Sequence, residues 1–153
     1  MRIRPAEIQD LPALKKLYAE LDNFHRQALP EIFSSSPRPN EYFQKILTEP
    51  QSLILVAEEE KSLLGFVHLY QGFGPAFLLK PKRFVVVEDL LVSKRFRRQG
   101  IGRQLMAQAQ RWAQAQGADL LELNVWEFND LGRSFYESFG FKTVSRRLWL
   151  KLN

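Results

Sequence analysis

The sequence predicts an α/β fold in which helices cover a mixed sheet, and three observations carry that prediction. The apolar run at 84–92, Phe-Val-Val-Val-Glu-Asp-Leu-Leu-Val, reads as a strand. A helical pattern follows, with apolar or small residues at Ile101, Leu105, Ala109, Trp112 and Ala113, and then a second strand at 120–125. Strand, helix, strand over 84–125 implies a right-handed parallel crossover, whereas the strands at 53–57 and 63–70, joined by the charged turn 58–61, read as antiparallel partners.

The other elements fall in order around these. Ile3-Arg4 begins a short first strand. Asp10 is placed to cap a helix with Pro12 in its first turn, and Leu14, Leu17, Tyr18 and Leu21 form its apolar stripe. Residues 22–33 read as irregular or weakly helical, and Ser34-Ser35-Ser36-Pro37-Arg38-Pro39 as loop. Asn40 reads as the cap of a short helix carrying Phe43, Ile46 and Leu47, stopped by Pro50. Residues 71–77 read as a flexible, aromatic-bearing connection, Gly117 as the stop of the long helix, and Asn129 as the cap of another. Val144, Leu148, Leu150 and Leu152 alternate along a final strand, giving the order β-α-α-β-β-β-α-β-α-β.

The 153 residues suit one domain, with 45% hydrophobic and 25% charged residues, and no repeat or second domain is evident. The chain lacks a long apolar run and a charged-then-apolar leader, so a soluble, cytoplasmic protein is expected. With no cysteine it can form neither a disulfide framework nor a thiolate metal site, and it has no cysteine nucleophile. The net charge of +5 is concentrated at Lys80, Lys82, Arg83, Lys94, Arg95, Arg97, Arg98 and Arg103. There is no recognition-helix or RNA-binding signature, so an anionic cofactor accounts for this charge better than nucleic acid does.

Much of that charge surrounds the strand-to-helix crossing Arg97-Arg98-Gln99-Gly100-Ile101-Gly102-Arg103. The free N–H groups of a first helical turn and the positive end of the helix dipole favour an anion by roughly 0.3–1 kcal/mol, and up to about 2 when partly buried. Two glycines allow close approach, and an ionic hydrogen bond from arginine adds about 1.5–3 kcal/mol. The natural ligand is a pyrophosphate. The spacing fits neither a P-loop nor the dinucleotide fingerprint.

The spacing does fit Arg/Gln-x-x-Gly-x-Gly/Ala, filled by Arg97, Gly100 and Gly102, followed by Asn129-Asp130-Leu131-Gly132-Arg133-Ser134-Phe135-Tyr136 and Gly140-Phe141. This pair of motifs resembles the GNAT superfamily of acyl-CoA-dependent N-acetyltransferases, and with the element order the resemblance covers nearly the whole chain, most strongly at 83–141. It implies an α+β fold with a mixed, mostly antiparallel sheet of six to seven strands, splayed fourth and fifth strands and about four helices. It implies acetyl-CoA as co-substrate and no metal. Leu90, Leu91 and Val92 would offer backbone groups to the pantetheine arm. Gln99, Gly100, Ile101, Gly102 and Arg103 would hold the pyrophosphate, with Arg97 and Arg98 nearby.

On the helix beginning at Asn129, that residue shares one face with Gly132, Arg133 and Tyr136, at i, i+3, i+4 and i+7. A glycine in mid-helix costs about 1 kcal/mol relative to alanine, so something close should explain it, and the thioester arm is the candidate. By resemblance, Asn129 would bind the arm and Tyr136 would point at the sulfur.

The chemistry needs two proton movements. A primary ammonium has a pKa near 10.4, so at pH 7 only about one in 2,500 is a free nucleophile, a deficit of roughly 4.6 kcal/mol. Glu88 is the candidate base, directly or through water, with the alternative that it is a structural carboxylate paired with arginine. Tyr136 is the candidate acid for the leaving thiolate, with a buried core tyrosine as its alternative. The resemblance implies direct attack by the amine in a ternary complex, with no covalent enzyme intermediate.

Acceptor-wall candidates are Tyr18, Asp22, Asn23, His25, Phe33, Phe73 and Trp126, with Glu88 facing the same cleft and His68 read as non-catalytic. Carboxylates at Asp22, Glu88, Asp89 and Glu127 would suit a cationic small molecule or peptide amine, and no single acceptor is singled out. Non-catalytic acyl-CoA binding and acetylation of ribosomal or other protein N-termini are the alternative functions. Trp149 would fit a homodimer contact or a buried position equally well.

Overall fold

The computed structural model describes residues 1–74 and 82–153. Lys80 and the later part of the 71–77 connection lie outside the described residues, as does the side chain of Phe73. The described chain forms β1 (Arg2–Pro5), α1 (Leu11–Ala28), α2 (Asn40–Thr48), β2 (Ser52–Glu59), β3 (Ser62–Gly74), β4 (Lys82–Val92), α3 (Ile101–Ala115), β5 (Leu120–Leu123) and α4 (Asp130–Phe139), with 3-10 turns at Ile8–Asp10 and Lys94–Phe96.

The strands lie in the order β1-β2-β3-β4-β5. The first four pair antiparallel, and β5 runs parallel to β4 after the α3 crossover. The sheet is therefore mixed, as expected, but with five strands among the described residues instead of six or seven. Residues 142–153 carry the predicted alternation, yet they are exposed and belong to no strand. A strand is stabilised by its cross-strand partners, and this segment finds none within the described chain.

Two apolar clusters hold the layers together. On one face, Leu105, Met106 and Ala109 of α3 pack on Leu55, Val67, Leu69, Val85 and Val87. On the other, Leu14, Leu17, Tyr18 and Leu21 of α1, with Phe43 and Ile46 of α2, cover Ile54, Val56, Phe66 and Leu91. Tyr18 lies on Phe66 with ring centroids 4.3 Å apart. The α1 stripe is thus as predicted, but the helix continues through the stretch read as irregular, ending beside Leu29 and Pro30. The Arg26 guanidinium donates to Asn23 Oδ1 at 2.8 Å along this added turn. Asp10 flanks α1 without a side-chain cap bond, because its carboxylate accepts from Arg4 at 2.7 and 2.9 Å. Likewise Pro39 rather than Asn40 occupies the cap position of α2.

Two features of β4 shape the cleft. Its ladder with β3 pairs Asp89 with His68 and Val87 with Leu69, leaving Glu88 as the extra residue of a β-bulge. Its parallel ladder with β5 runs only from Phe84 to Val87. Beyond Val87 the β5-side edge of 88–92 has no strand partner among the described residues.

Candidate active site

The turn after β4 is braced from below. Ser93 Oγ and the backbone N–H of Lys94 donate to the carboxylate of Glu20 on α1, at 3.0 and 2.7 Å. Arg97 Nε donates to the Val92 carbonyl at 2.9 Å, and its guanidinium lies 3.6 Å from Glu20. Arg97 therefore serves the turn's own geometry. Arg98, Gln99, Gly100 and Arg103 are exposed, and Arg103 donates to Ser138 Oγ at 3.3 Å.

Gly100 takes φ +78° at the N-cap of α3, where no side chain caps the helix. Gln104 N–H makes the first helical bond to the Gly100 carbonyl, so the first-turn N–H groups of Ile101, Gly102 and Arg103 have no helical acceptor. Arg98 also has a left-handed backbone, with φ +65°, a conformation costing a side-chain-bearing residue roughly 1–2 kcal/mol. An uncapped helix terminus, an adjacent strand edge without a partner and exposed arginines fit a pyrophosphate followed by an amide-bearing arm. Of the arm candidates, Leu91 is buried, and Leu90 and Val92 are partly buried against the cluster that includes α3.

On α4, Asn129 Oδ1 accepts the Gly132 N–H at 2.9 Å, which makes it the cap predicted from sequence. A Cβ on Gly132 would stand 2.5 Å from Asn129 Nδ2, so the glycine is explained within the chain by its own cap. Arg133 donates to the Glu127 carbonyl at 2.9 Å and pairs with Asp130 at 3.3 Å. Tyr136 lies among Phe135 and Phe141. Burial, and then the charge of Asp89, pushes its phenol up to about 12.

The two adjacent carboxylates have different surroundings. Glu88 is exposed and forms no ion pair among the described residues. Asp89 is the carboxylate paired with arginine: Oδ2 lies 3.6 Å from Arg38 and 3.9 Å from His68 Nδ1. His68 is buried, and its Nε2 meets Ser52 Oγ at 2.8 Å. His68 Nδ1 and Tyr18 Oη are buried without a hydrogen-bond partner among the described residues.

Arg38 was not identified from sequence, and it organises a cluster with Asp22, Tyr18 and Tyr42. It chelates Asp22 at 2.7–3.2 Å, donates to Tyr42 Oη at 2.7 Å, and lies over the rings of Tyr18 and Tyr42 at 4.6 and 4.9 Å. The available signal was its position between Pro37 and Pro39, which restricts the backbone on both sides of one charged residue. Tyr18 lies enclosed beneath it, and Asn23 is engaged with Arg26.

Three wall candidates do converge. His25 stacks on Phe33 at 5.1 Å, and Phe33 meets Trp126 edge-on at 4.9 Å. Phe128, also not anticipated, joins them beside Trp126 and His25. Burial holds the His25 imidazole below its ordinary pKa, opposed by the charges of Asp89 and Asp22. Glu127 lies exposed beside Arg133.

Residues 15–141 match the model of the Acetyltransferase (GNAT) family, and the chain belongs to that family. It is 32% identical to the uncharacterized N-acetyltransferase YhfO of Bacillus subtilis (strain 168), over 93% of this chain and 90% of that protein. The crystal structure of a single-residue mutant of the BH1408 protein from Bacillus halodurans superposes with a TM-score of 0.95 at 27% identity, covering all of both chains. The aminoglycoside N-acetyltransferase AAC(6')-Iy in complex with CoA shares the fold, with a TM-score of 0.77 at 18% identity over 99% of each chain.

The protein is thus a GNAT N-acetyltransferase, a transferase of a family that uses acetyl-CoA. Among the described residues, no helix is long and apolar enough to cross a membrane, and no group of three or more acidic or histidine side chains is arranged to hold a metal.

Proposed function

We propose that the chain, acting as one catalytic domain over 1–153, acetylates the primary amine of a small molecule or peptide by direct attack in a ternary complex. The observation that carries this reading is the end of the β4–β5 ladder at Val87, which leaves 88–92 without a strand partner on that side among the described residues, followed in the chain by the uncapped start of α3. Acetyl-CoA, when bound, supplies an activated thioester. The chain's own residues do the rest.

The N–H groups of 101–103, with Arg98 and Arg103, hold the pyrophosphate. The 88–92 edge holds the arm, with Asn129, Gly132 and Arg133 forming the α4 side. Glu88 accepts the ammonium proton, directly or through water, because Asp89 takes the structural pairing with Arg38 and leaves Glu88 uncommitted. Tyr136 stays protonated and donates to the departing sulfur. Asp22, His25, Phe33 and Trp126 wall the acceptor, with Tyr18 beneath Arg38. A chain without cysteine is suited to a reducing cytoplasm.

The test is acetyl-CoA-dependent thiol release against polyamines, aminoglycosides, amino acids and N-terminal peptides, with Tyr136→Phe beside the wild type. Turnover on one class, with a large loss in the variant and unchanged acetyl-CoA binding, supports the proposal. Failure to bind acetyl-CoA would refute the reading of the 97–103 turn.

A further inference from the structure

Five aromatic rings stand apart from the packed core. Phe24 and His25 near the end of α1, Phe33 beyond it, and Trp126 and Phe128 between β5 and α4 belong to neither apolar cluster of the described residues. Each keeps part of its surface in solvent. They hold one another instead: His25 lies on Phe33 at 5.1 Å, Phe33 meets Trp126 edge-on at 4.9 Å, Trp126 stacks with Phe128 at 6.3 Å, and Phe24 reaches Phe128 at 5.7 Å. A linked set of half-exposed rings offers flat apolar surface already arranged for aromatic pairing. The charge of Asp89 acts on both the His25 imidazole and the Tyr136 phenol, so one carboxylate stands within electrostatic reach of the rings and of α4.

On the same helix a cage for a cation is built and already filled. Asp22 lies three residues before His25 on α1, so the two share a helix face. Both Asp22 oxygens accept from the Arg38 guanidinium at 2.7–3.2 Å, and Asp89 Oδ2 lies 3.6 Å from it. The rings of Tyr18 and Tyr42 lie 4.6 and 4.9 Å from its centre. Carboxylates and aromatic faces are the groups that hold an ammonium out of water. In this chain the cation is its own. The planar guanidinium matches the Asp22 carboxylate with parallel bonds, and the partial burial of Arg38, Asp22 and Asp89 shields the contact from solvent. Of the four carboxylates that suit a cationic amine, Asp22 and Asp89 are therefore engaged and Glu127 lies 3.7 Å from Arg133, which leaves Glu88.

We infer that the acceptor is a monoamine carrying a flat aromatic body, which lies against Phe33, Trp126 and Phe128, and that Arg38 excludes di- and polycationic amines by occupying the carboxylate–tyrosine cage. One ammonium goes to Glu88. A second would meet a guanidinium where it needs a free carboxylate, and a like charge placed against the wrong ligand is the repulsive half of specificity. Arg38 is thus a specificity-determining residue, acting on which amine enters and not on the reacting atoms. The inference rests on the proposed acetyl transfer and adds to it the class of amine.

The experiment compares kcat/KM for phenethylamine and tryptamine with kcat/KM for putrescine and spermidine at saturating acetyl-CoA. The wild type should favour the aromatic monoamines by about tenfold or more, a comparison that needs no variant to fold. Arg38→Met keeps most of the side-chain stem and removes the charge, so it should raise kcat/KM for the polyamines by about tenfold or more. Trp126→Ala should raise the KM for phenethylamine by a similar factor, about tenfold. Binding is read without turnover in the Trp112→Phe, Trp149→Phe protein, where Trp126 is left as the only one of the three tryptophans. Its emission should shift saturably with phenethylamine and not with spermidine. A wild type that prefers polyamines, or treats both classes alike, would overturn the inference while leaving acetyl transfer intact. Unchanged polyamine rates in a folded Arg38→Met protein would overturn the role of Arg38. A Trp126 shift with phenethylamine but no thiol release from any amine would support the aromatic subsite and refute the proposed transfer, and acetyl-CoA binding with neither shift nor release would overturn the inference.

Discussion

Asp89 stands opposite His68 across the β3–β4 ladder, with Oδ2 3.9 Å from Nδ1, and this pairing gives it surroundings that the adjacent Glu88 does not share. Regular alternation would turn consecutive residues to opposite faces. Asp89 is committed to Arg38 and His68, while Glu88, the extra residue of the bulge, remains exposed and unpaired among the described residues.

Glu88→Gln should lower kcat by about 10²–10⁴, the usual worth of a general base. Asp89→Asn should instead lower the melting temperature, because it removes a charge partner from Arg38 and His68, at a cost of about 1–3 kcal/mol. Steady-state kinetics and thermal melts on both variants distinguish the roles. A larger loss of kcat in Asp89→Asn with unchanged melting would transfer the base to Asp89.

Tyr136→Phe should reduce kcat about 10²-fold or more, with little change in acetyl-CoA affinity. An acid fails only above its own pKa, and this phenol is pushed up to about 12. The wild-type rate should therefore show no alkaline decline from Tyr136 near pH 10, where an ordinary phenol ionises. A decline centred there, lost in the phenylalanine variant, would contradict the burial of this side chain.

The features legible in the sequence were those set by local periodicity. Leu14, Leu17, Tyr18 and Leu21 announced the buried face of α1, and Gly100 and Asn129 announced two helix starts. Features set by distant partners were not legible. A bulge is a mismatch between two strands, so nothing in 84–92 alone marks Glu88 as the extra residue. Arg38 meets Asp22 across 16 residues of sequence, and that contact neutralises a carboxylate that the sequence offered to the acceptor. The alternation at 144–152 was visible, but whether a partner lay within the chain was not.

Gly132 offers a test in which two effects of similar size oppose each other. Alanine would gain about 1 kcal/mol of helix propensity, but its Cβ would displace the Asn129 side chain, and losing that cap costs about 0.5–2 kcal/mol. Gly132→Ala alone should be neutral or destabilising. In an Asn129→Ala background the clash and the cap are both gone, so Gly132→Ala should stabilise by about 1 kcal/mol. Equal effects in the two backgrounds, measured by denaturant melts, would rule out the cap as the reason for the glycine.

Acid should loosen the β1 edge. Hydrogen bonds from Arg4, and then Arg2, hold the Glu58 carboxyl at about 2 instead of its ordinary 4.5, and Arg4 also lowers Asp10. Depressed carboxylates stabilise the fold above their unfolded pKa, and this contribution is lost as pH falls through the folded value. Wild-type melting temperature should therefore fall between about pH 4.5 and 2. Glu58→Gln should begin lower at pH 6 and lose less over that window. Parallel curves would dissociate Glu58 from acid stability.

Arg98 sets stability against binding within one residue. Its left-handed backbone, φ +65°, costs roughly 1–2 kcal/mol relative to glycine, which adopts that region freely. Arg98 is exposed and precedes the uncapped start of α3, where a charged hydrogen bond to a bound phosphate would contribute about 1.5–3 kcal/mol. Arg98→Gly should therefore raise the melting temperature while increasing the KM for acetyl-CoA about tenfold or more, with a weaker salt dependence. Lys61, at φ +64° in the two-residue turn between β2 and β3, is the control: Lys61→Gly should stabilise with no effect on KM. If Arg98→Gly and Lys61→Gly behave alike in both measurements, Arg98 has no part in holding the cofactor's phosphates.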